Sequence, residues 1–139
     1  MSHDIERPKI GVCLIIKKDD CVLLGIRKSP FGRGAMCFPG GHLEMFERTE
    51  ETARREVLEE CGIEVGKIEF CGFTEDMYPE INKHYITICY IGDYQSGEPT
   101  VNEPDKIDNW QWIPIDSLKE YKDKLWKPCI EKFNNLGWI

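Results

Sequence analysis

The sequence predicts an α/β domain in which helices cover a mixed β-sheet. Three observations favour this class: short apolar runs of strand length, a central helix with one charged and one apolar face, and apolar residues at helical spacing near the C-terminus. Strands joined by tight turns and separated by helices favour a sheet packed between helices. Because 139 residues is the length of one domain, we expect residues 1–139 to share a single core.

Two strands are predicted at the N-terminal end. Residues 9–17 contain a continuous apolar run, and residues 21–28 follow after a short polar turn, which predicts a hairpin. Residues 29–35 contain one proline and two glycines and are expected to form a loop. A short strand at 36–38 completes this part of the chain.

A helix is predicted from Thr49 to the residue before Gly62. Two glutamates in its first turn favour the helix dipole, and Gly62 can adopt the left-handed conformation that ends a helix. At about 100° per residue, carboxylates collect on one side and apolar residues on the other. The carboxylates are Glu56, Glu59 and Glu60, and the apolar residues are Ala53, Val57, Leu58 and Cys61.

The second half of the chain continues the alternation of strands and helices. The long loop within it is rich in glycine and proline, as functional loops often are. The predicted elements are strands at 64–76 and 83–94, the loop at 95–106, a strand at 108–113, and helical segments at 116–121 and 124–136.

Composition narrows the expected partners and compartment. The net charge of −7 repels a nucleic-acid polymer but remains compatible with a small phosphorylated ligand that a metal ion bridges. No apolar run is long enough to span a bilayer, and residues 1–8 lack the apolar segment of a secretory signal. Seven scattered cysteines without metal-binding or redox spacing suggest reduced thiols, so we expect a cytoplasmic protein without membrane partners.

The carboxylate side of the central helix is a candidate metal site. Like charges one turn apart destabilise an isolated helix by about 0.2–0.5 kcal/mol per pair, so the cluster favours a cation above it. Mg²⁺ takes a few carboxylate oxygens, neutralises developing phosphoryl charge and lowers the pKa of water. We expect Glu56 and Glu60 to be metal ligands, with Glu59 as a further ligand or a water-orienting group. A solvated acidic face is the alternative interpretation.

The residues around these glutamates form a longer pattern. In order, the spacing is Gly41, five residues, Glu47, seven residues, Arg55-Glu56, two residues, Glu59-Glu60, one residue, and Gly62. Residues 41–63 therefore resemble the Nudix box, the signature of Nudix hydrolases, with every defining position filled. The resemblance implies an α/β/α sandwich with a mixed sheet, a requirement for Mg²⁺ or Mn²⁺, and cleavage of a pyrophosphate linkage. It also implies a metal ligand from the backbone carbonyl of Gly40 or Gly41.

Other side chains are candidates for supporting roles. Arg55 can pair with Glu47 and hold the loop against the helix. Glu103, in the long loop, is a candidate general base or additional metal ligand, and a solvated acid is the alternative. Positive charge for the substrate phosphates is expected from residues beside or within the 29–35 loop, namely Arg27, Lys28 and Arg33. A solvated surface residue is the alternative for each of them.

Similarity extends beyond the box. The stretches Leu-Leu-Gly-Ile-Arg-Lys-Ser, Phe-Pro-Gly-Gly-His-Leu-Glu and Leu-Trp-Lys-Pro-Cys resemble the MutT-type nucleoside triphosphate diphosphatases, especially the thiopurine nucleotide hydrolase group. The resemblance implies hydrolysis of a nucleoside triphosphate to the monophosphate and pyrophosphate by a homodimer, as in sanitation of the nucleotide pool. It places the base near Leu125 and Trp126, although the helical spacing of Trp126 equally fits a core position.

Two other functions stay open. Tyr78 and Pro79 lie where ADP-ribose or dinucleoside polyphosphate hydrolases can carry discriminating residues, so such a substrate is an alternative. A non-catalytic nucleotide-binding module is the alternative from another class, and it predicts a damaged box. Phe46 departs from the family pattern, in which relatives often carry glycine before Glu47, and its bulk is expected to restrict the loop backbone.

Overall fold

The chain folds around one mixed sheet, and the computed structural model describes residues 5–139. Residues 1–4, on which the expected absence of a secretory signal partly rests, lie outside the described residues. The strands are β1 (Lys9–Lys18), β2 (Cys21–Arg27), β3 (Met36–Cys37), β4 (Gly40–His42), β5 (Glu64–Tyr78), β6 (Lys83–Ser96) and β7 (Ile107–Pro114). The α-helices are α1 (Thr49–Cys61) and α2 (Lys127–Asn135), and 3-10 helices occur at Pro79–Ile81 and Ile115–Lys124. Within residues 5–139, no helix combines the length and apolar character needed to cross a bilayer.

Strand β1 organises the sheet. It runs parallel to β6 from Lys9, opposite Tyr85, to Lys17, opposite Asp93. Its other edge is shared, because the N-terminal part pairs with β4 and the C-terminal end pairs with β2, both antiparallel. The sheet order is β3-β2-β1-β6-β5, and β7 adds to β2. This arrangement places β1 between the short β4 and β6.

Helix α1 packs its apolar side on the sheet, as the sequence predicts. Ala53, Val57 and Cys61 are fully buried, and Gly62 ends the helix in the left-handed conformation with φ 70°. The prediction for Leu58 is wrong, because 51% of it is exposed. Leu58 lies about 100° around the helix from Val57 and points away from the sheet. Glu60 instead lies near the apolar side and is buried.

The segment before α2 differs from the prediction. Residues 116–121 are helical as predicted, within a 3-10 helix at Ile115–Lys124, but α2 begins at Lys127 rather than at 124. The reason is a tertiary contact: Leu125 forms a parallel bridge with Met36, and the Trp126 N–H donates to the Met36 carbonyl at 2.8 Å. This pairing holds residues 125 and 126 extended, so Trp126 lies just before the helix.

Candidate active site

Two glycines of β4 lie directly beneath the glutamates of α1. The Gly40 N–H donates to Glu60 Oε1 at 2.8 Å. A Cβ atom on Gly41 would overlap the Glu56 carboxylate, and one on Gly40 would overlap the backbone of β1 at Val12. The strand can therefore approach both the helix and the sheet only because neither residue has a side chain.

A third carboxylate comes from the loop between β6 and β7. Glu56, Glu60 and Glu103 each place an oxygen within 4.8 Å of the others. The loop is attached to the end of α1 because the Thr100 N–H donates to the Cys61 carbonyl at 3.0 Å and the Asn102 N–H donates to the Glu60 carbonyl at 3.2 Å. The structure thus brings Glu103, a candidate from sequence, to the two glutamates predicted as metal ligands.

The electrostatics of this carboxylate cluster favour a cation. Burial, opposed by the Gly40 N–H bond, raises the pKa of Glu60 to about 8, and the charges of Glu56 and Glu103 add to the rise. Burial also raises the pKa of Glu56. Glu103 Oε1 is buried without a hydrogen-bond partner among residues 5–139. Oxygen ligands at this spacing suit a hard divalent cation such as Mg²⁺, and an unpaired buried oxygen is the kind of atom that such an ion would satisfy.

Glu59 takes a different position from the other two glutamates of its group. Its side chain is 54% exposed, and Glu59 Oε2 accepts from Arg55 Nη1 at 3.2 Å. Glu59 therefore lies outside the three-carboxylate cluster. Of the two roles expected for Glu59, this exposed position fits the water-orienting group better than the metal ligand.

Arg55 links the loop before α1 to the carboxylates. The predicted pair with Glu47 is confirmed, since Arg55 Nε lies 2.7 Å from Glu47 Oε2 and Nη2 lies 3.0 Å from Oε1. Arg55 Nη1 also donates to Glu56 Oε1 at 2.9 Å. The Arg55 bonds, assisted by the Thr52 hydroxyl, lower the pKa of Glu47 to about 2. Glu47 thus orients Arg55, which in turn orients Glu56.

Phe46 occupies the strained position of this loop. Its φ is 65°, in the left-handed region that favours glycine, and the residue is 98% exposed. The Glu47 N–H closes the turn by donating to the Glu44 carbonyl at 3.1 Å. The aromatic ring lies in solvent, so the departure from the family pattern affects the backbone of the turn.

An aromatic cavity of about 500 Å³ lies beside the glycine strand. The Arg27 guanidinium stacks 4.1 Å from the centre of the Trp126 ring and donates through Nη2 to the Phe31 carbonyl at 3.1 Å. The rings of Phe31 and Tyr78 pack near Trp126, at centroid distances of 5.7 and 5.5 Å. A smaller cavity of about 200 Å³, lined by Arg27, Trp126 and the Gly40–Gly41 backbone, connects this region to β4. A planar ring bound between these side chains would therefore lie near the carboxylates.

The other predicted substrate contacts lie away from this cavity. Leu125 is 6% exposed and belongs to the core, and neither Lys28 nor Arg33 lines either of the two cavities. Arg27 and Trp126 do line them.

Sequence reasoning missed several cavity residues on β5 and β6. These residues lie on one face of the sheet, because side chains alternate between the two faces along each strand. The alternation in sequence was the signal that could have placed them together. The missed residues are Asp76 on β5 and Tyr85 and Thr87 on β6.

Comparison with known proteins gives a family match over most of the chain. The family model described as "NUDIX domain" matches residues 6–133. The chain is 33% identical over 144 residues to an oxidized purine nucleoside triphosphate hydrolase from Danio rerio, covering 94% of this chain and 85% of the relative. It is 31% identical over 127 residues to an ADP-ribose pyrophosphatase from Methanocaldococcus jannaschii, covering 86% and 75%.

Two other matches are a relative that the chain covers only in part and a solved structure with a similar fold. The chain is 31% identical over 116 residues to the NAD-capped RNA hydrolase NudC of Pseudomonas aeruginosa, with 84% of this chain covered. It spans only 40% of the length of that relative. Among solved structures, a MutT NUDIX hydrolase from Burkholderia pseudomallei superposes with a TM-score of 0.75 at 28% identity, covering 88% of this chain and 90% of the other.

Proposed function

On the premise that this chain belongs to the NUDIX family, we propose that it is a pyrophosphohydrolase that converts a nucleoside triphosphate to the monophosphate and pyrophosphate. The observation that supports this most is the cluster of Glu56, Glu60 and Glu103 beside a cavity lined by aromatic rings. The cluster provides oxygen ligands for a divalent cation, and the cavity provides a surface for a nucleobase. The Danio rerio relative, named for a purine nucleoside triphosphate, supports the choice of substrate.

The cation would be held by Glu56, Glu60 and Glu103, with a backbone carbonyl of Gly40 or Gly41 as a further ligand. When bound, Mg²⁺, or Mn²⁺ in its place, would neutralise the charge of the diphosphate oxygens and make water more acidic. Arg55 fixes the orientation of Glu56, which makes it a positioning residue. Glu59, at the edge of the cluster, is the candidate for orienting and deprotonating the attacking water, and Glu103 is the alternative base in an arrangement where it does not bind the cation.

The remaining side chains would hold the nucleoside and its phosphates. Trp126, Tyr78 and Phe31 supply ring faces for stacking on the base. Arg27 would contact an α-phosphate or the base itself, because its guanidinium lies on the Trp126 ring at the cavity wall. Lys28 and Arg33 line neither cavity, so they would contact the distal phosphates of the substrate outside it. Cleavage would sanitise the nucleotide pool if the base is a damaged one.

The best test compares isosteric variants on one helix. Glu60→Gln removes a carboxylate from the cluster, and Glu51→Gln makes the same change in charge at an exposed position in the first turn. We expect Glu60→Gln to reduce turnover by roughly a hundredfold or more, and Glu51→Gln to match the unmodified protein. Release of pyrophosphate and monophosphate is measured during titration with Mg²⁺ or Mn²⁺. Unchanged turnover in Glu60→Gln would exclude the proposed role of the cluster.

A second candidate substrate is a diphosphate that joins two nucleoside or sugar groups, such as ADP-ribose or a dinucleoside polyphosphate. The Methanocaldococcus jannaschii relative, named an ADP-ribose pyrophosphatase, favours this alternative. Tyr78 in the cavity offers a ring that such a substrate could use. Phosphorus NMR of the products separates the two cases, because ADP-ribose releases AMP and ribose phosphate instead of pyrophosphate. Nucleotide binding without any cleavage would indicate the non-catalytic module.

We also propose that the protein forms a homodimer through β5. This strand ends the sheet order, and Phe70, Phe73 and Met77 on it are 61%, 51% and 57% exposed. Apolar side chains on an edge strand favour pairing with another chain, and a second copy would cover them. Light scattering after size-exclusion chromatography should give twice the mass of 16.2 kDa, whereas a monomer mass at micromolar concentration would exclude the dimer.

The cysteines support a reducing compartment. All seven are free thiols, and burial raises the pKa of Cys37 and of Cys61 to about 12. We therefore propose a cytoplasmic location, to be checked by fractionation of cells that express the tagged protein.

A further inference from the structure

Asp76 is a buried carboxylate at the wall of the aromatic cavity. It is 8% exposed and lines both the larger and the smaller cavity. Its Oδ2 accepts hydrogen bonds from the Thr87 hydroxyl at 2.6 Å and the Thr74 hydroxyl at 3.2 Å. Within residues 5–139, Oδ1 accepts no hydrogen bond from a side chain or a backbone N–H.

The charge of Asp76 is not neutralised by the protein. No Lys, Arg or His nitrogen of residues 5–139 lies within ion-pair distance of it, although Arg27 and Lys83 line the same cavity. Arg27 is held instead by the Trp126 ring and the Phe31 carbonyl. Aspartate is seldom buried without a partner, because removing its charge from water is costly unless donors replace the water.

The two hydroxyls fix the carboxylate in place and leave acceptor capacity for a ligand. An ionised carboxylate has about four acceptor positions, of which Thr74 and Thr87 use two on Oδ2. The rings of Trp126 and Tyr78 line the same cavity, so a planar base stacked on them would present its edge to the cavity wall. The chemistry that fits an anionic acceptor at a base edge is a set of N–H donors.

We propose that Asp76 is a specificity-determining residue that accepts hydrogen bonds from two adjacent N–H groups at the edge of a guanine-type base. This inference rests on the proposed function, because it identifies the base of the nucleotide bound at that site. Guanine presents the N1–H and the exocyclic 2-amino group side by side. Hypoxanthine lacks the amino group, and adenine presents a lone pair at N1 that a carboxylate repels. Asp76 therefore discriminates by attraction of one base and by repulsion of another.

The first test uses the unmodified protein and changes the ligand. Calorimetry with GMP, IMP and AMP in buffer with EDTA measures binding of the base without cleavage and without a metal ion. We expect IMP to bind roughly tenfold more weakly than GMP and AMP to bind most weakly, since a bidentate contact to a base edge contributes about 1–3 kcal/mol of discrimination. Equal affinities of GMP and IMP would overturn the proposal, whatever the behaviour of any variant.

The second test changes the residue. Asp76→Asn keeps the shape and an acceptor for the threonine hydroxyls but introduces an N–H₂ group into the cavity. We expect the ratio of GMP to AMP affinity to fall by roughly tenfold to a hundredfold, because the amide can donate to adenine N1 and repels the guanine donors. The matched control is Glu75→Gln, the neighbouring residue on the exposed face of β5, which removes the same charge and should leave the ratio unchanged. An unchanged ratio in Asp76→Asn, with a circular dichroism spectrum like that of the unmodified protein, would contradict the proposal.

Turnover separates this inference from the proposed function. A protein that cleaves GTP, ITP and ATP with equal kcat/KM supports the hydrolase and overturns the role of Asp76. A protein that prefers GMP in calorimetry but cleaves no nucleoside triphosphate supports the role of Asp76 and overturns the hydrolase. The ligand series on the unmodified protein decides the question if Asp76→Asn does not fold.

Discussion

Replacing Gly41 or Gly40 of β4 by alanine, one at a time, should produce two different defects. In Gly41→Ala, the new Cβ overlaps the Glu56 carboxylate, which is the end of a flexible side chain and can move. In Gly40→Ala, the new Cβ overlaps backbone atoms of β1 at Val12 and Cys13, which can move only if the strands separate. The first change should therefore damage the site, and the second should damage the fold.

The expected magnitudes follow from what each change displaces. Pushing the Glu56 side chain about 30° off its rotamer costs about 0.5–1.5 kcal/mol, and losing its bond to Arg55 costs about 0–1 kcal/mol. Alanine also restricts the unfolded chain more than glycine does, which offsets about 0.4–1 kcal/mol of these costs. The free energy of unfolding of Gly41→Ala should therefore be lower by about 1 kcal/mol. Its turnover should fall about a hundredfold, as expected for a carboxylate displaced by about 1 Å. Gly40→Ala should lose about 3 kcal/mol, the upper range for overpacking a core.

The assay combines urea unfolding with nucleotide turnover on the same preparations. Gly66→Ala is the control, because the nearest atom to its Cβ, Gln95 Oε1, lies at an ordinary contact distance of 3.7 Å. Full turnover in Gly41→Ala would refute the close contact between Gly41 and Glu56. Equal stability of Gly40→Ala and Gly66→Ala would refute the packing assigned to β4.

Two further predictions concern the loop before α1. Phe46→Gly should raise the free energy of unfolding by about 1 kcal/mol, because glycine adopts a φ of 65° without the penalty that a side chain carries, and a lower melting temperature would contradict this. Glu47 has its pKa lowered from 4.5 to about 2 by Arg55, so its contribution to stability is complete above pH 4.5 and is lost as the pH falls towards 2. Urea unfolding between pH 2 and 6 should show a shallower decline in Glu47→Gln than in the unmodified protein, and parallel curves would contradict the assignment.

Elements determined by local sequence were predicted well. The continuous apolar run of β1 and the glycine at the end of α1 each specify an element without reference to the rest of the chain, and both are confirmed. The pair of Arg55 and Glu47 also follows from local spacing, because both residues lie in one loop and helix. The strands predicted at 64–76 and 83–94 also lie within a few residues of the true ends of β5 and β6.

Features that depend on tertiary contacts were harder to predict. Trp126 lies outside α2 because its backbone pairs with Met36, a contact that no helical periodicity can indicate. Gly40 and Gly41 resemble a turn in sequence, yet they form a strand because β1 offers an open edge. The cavity around Asp76 requires the register of β5 against β6, which sets Asp76 opposite Tyr85 and cannot be derived from either strand alone.

The attachment of the loop from β6 to the end of α1 also governs how the site moves. Glu60 accepts through its carbonyl from Asn102, and the next residue along the loop is Glu103, so two of the three clustered acids belong to one hydrogen-bonded unit. Fluctuations that tilt the last turn of the helix carry both acids in the same direction. The distance between the Glu60 and Glu103 carboxylates should therefore change little when the rest of the domain moves. Glu56 lies one turn earlier in the helix, and its position depends instead on the hydrogen bond from Arg55.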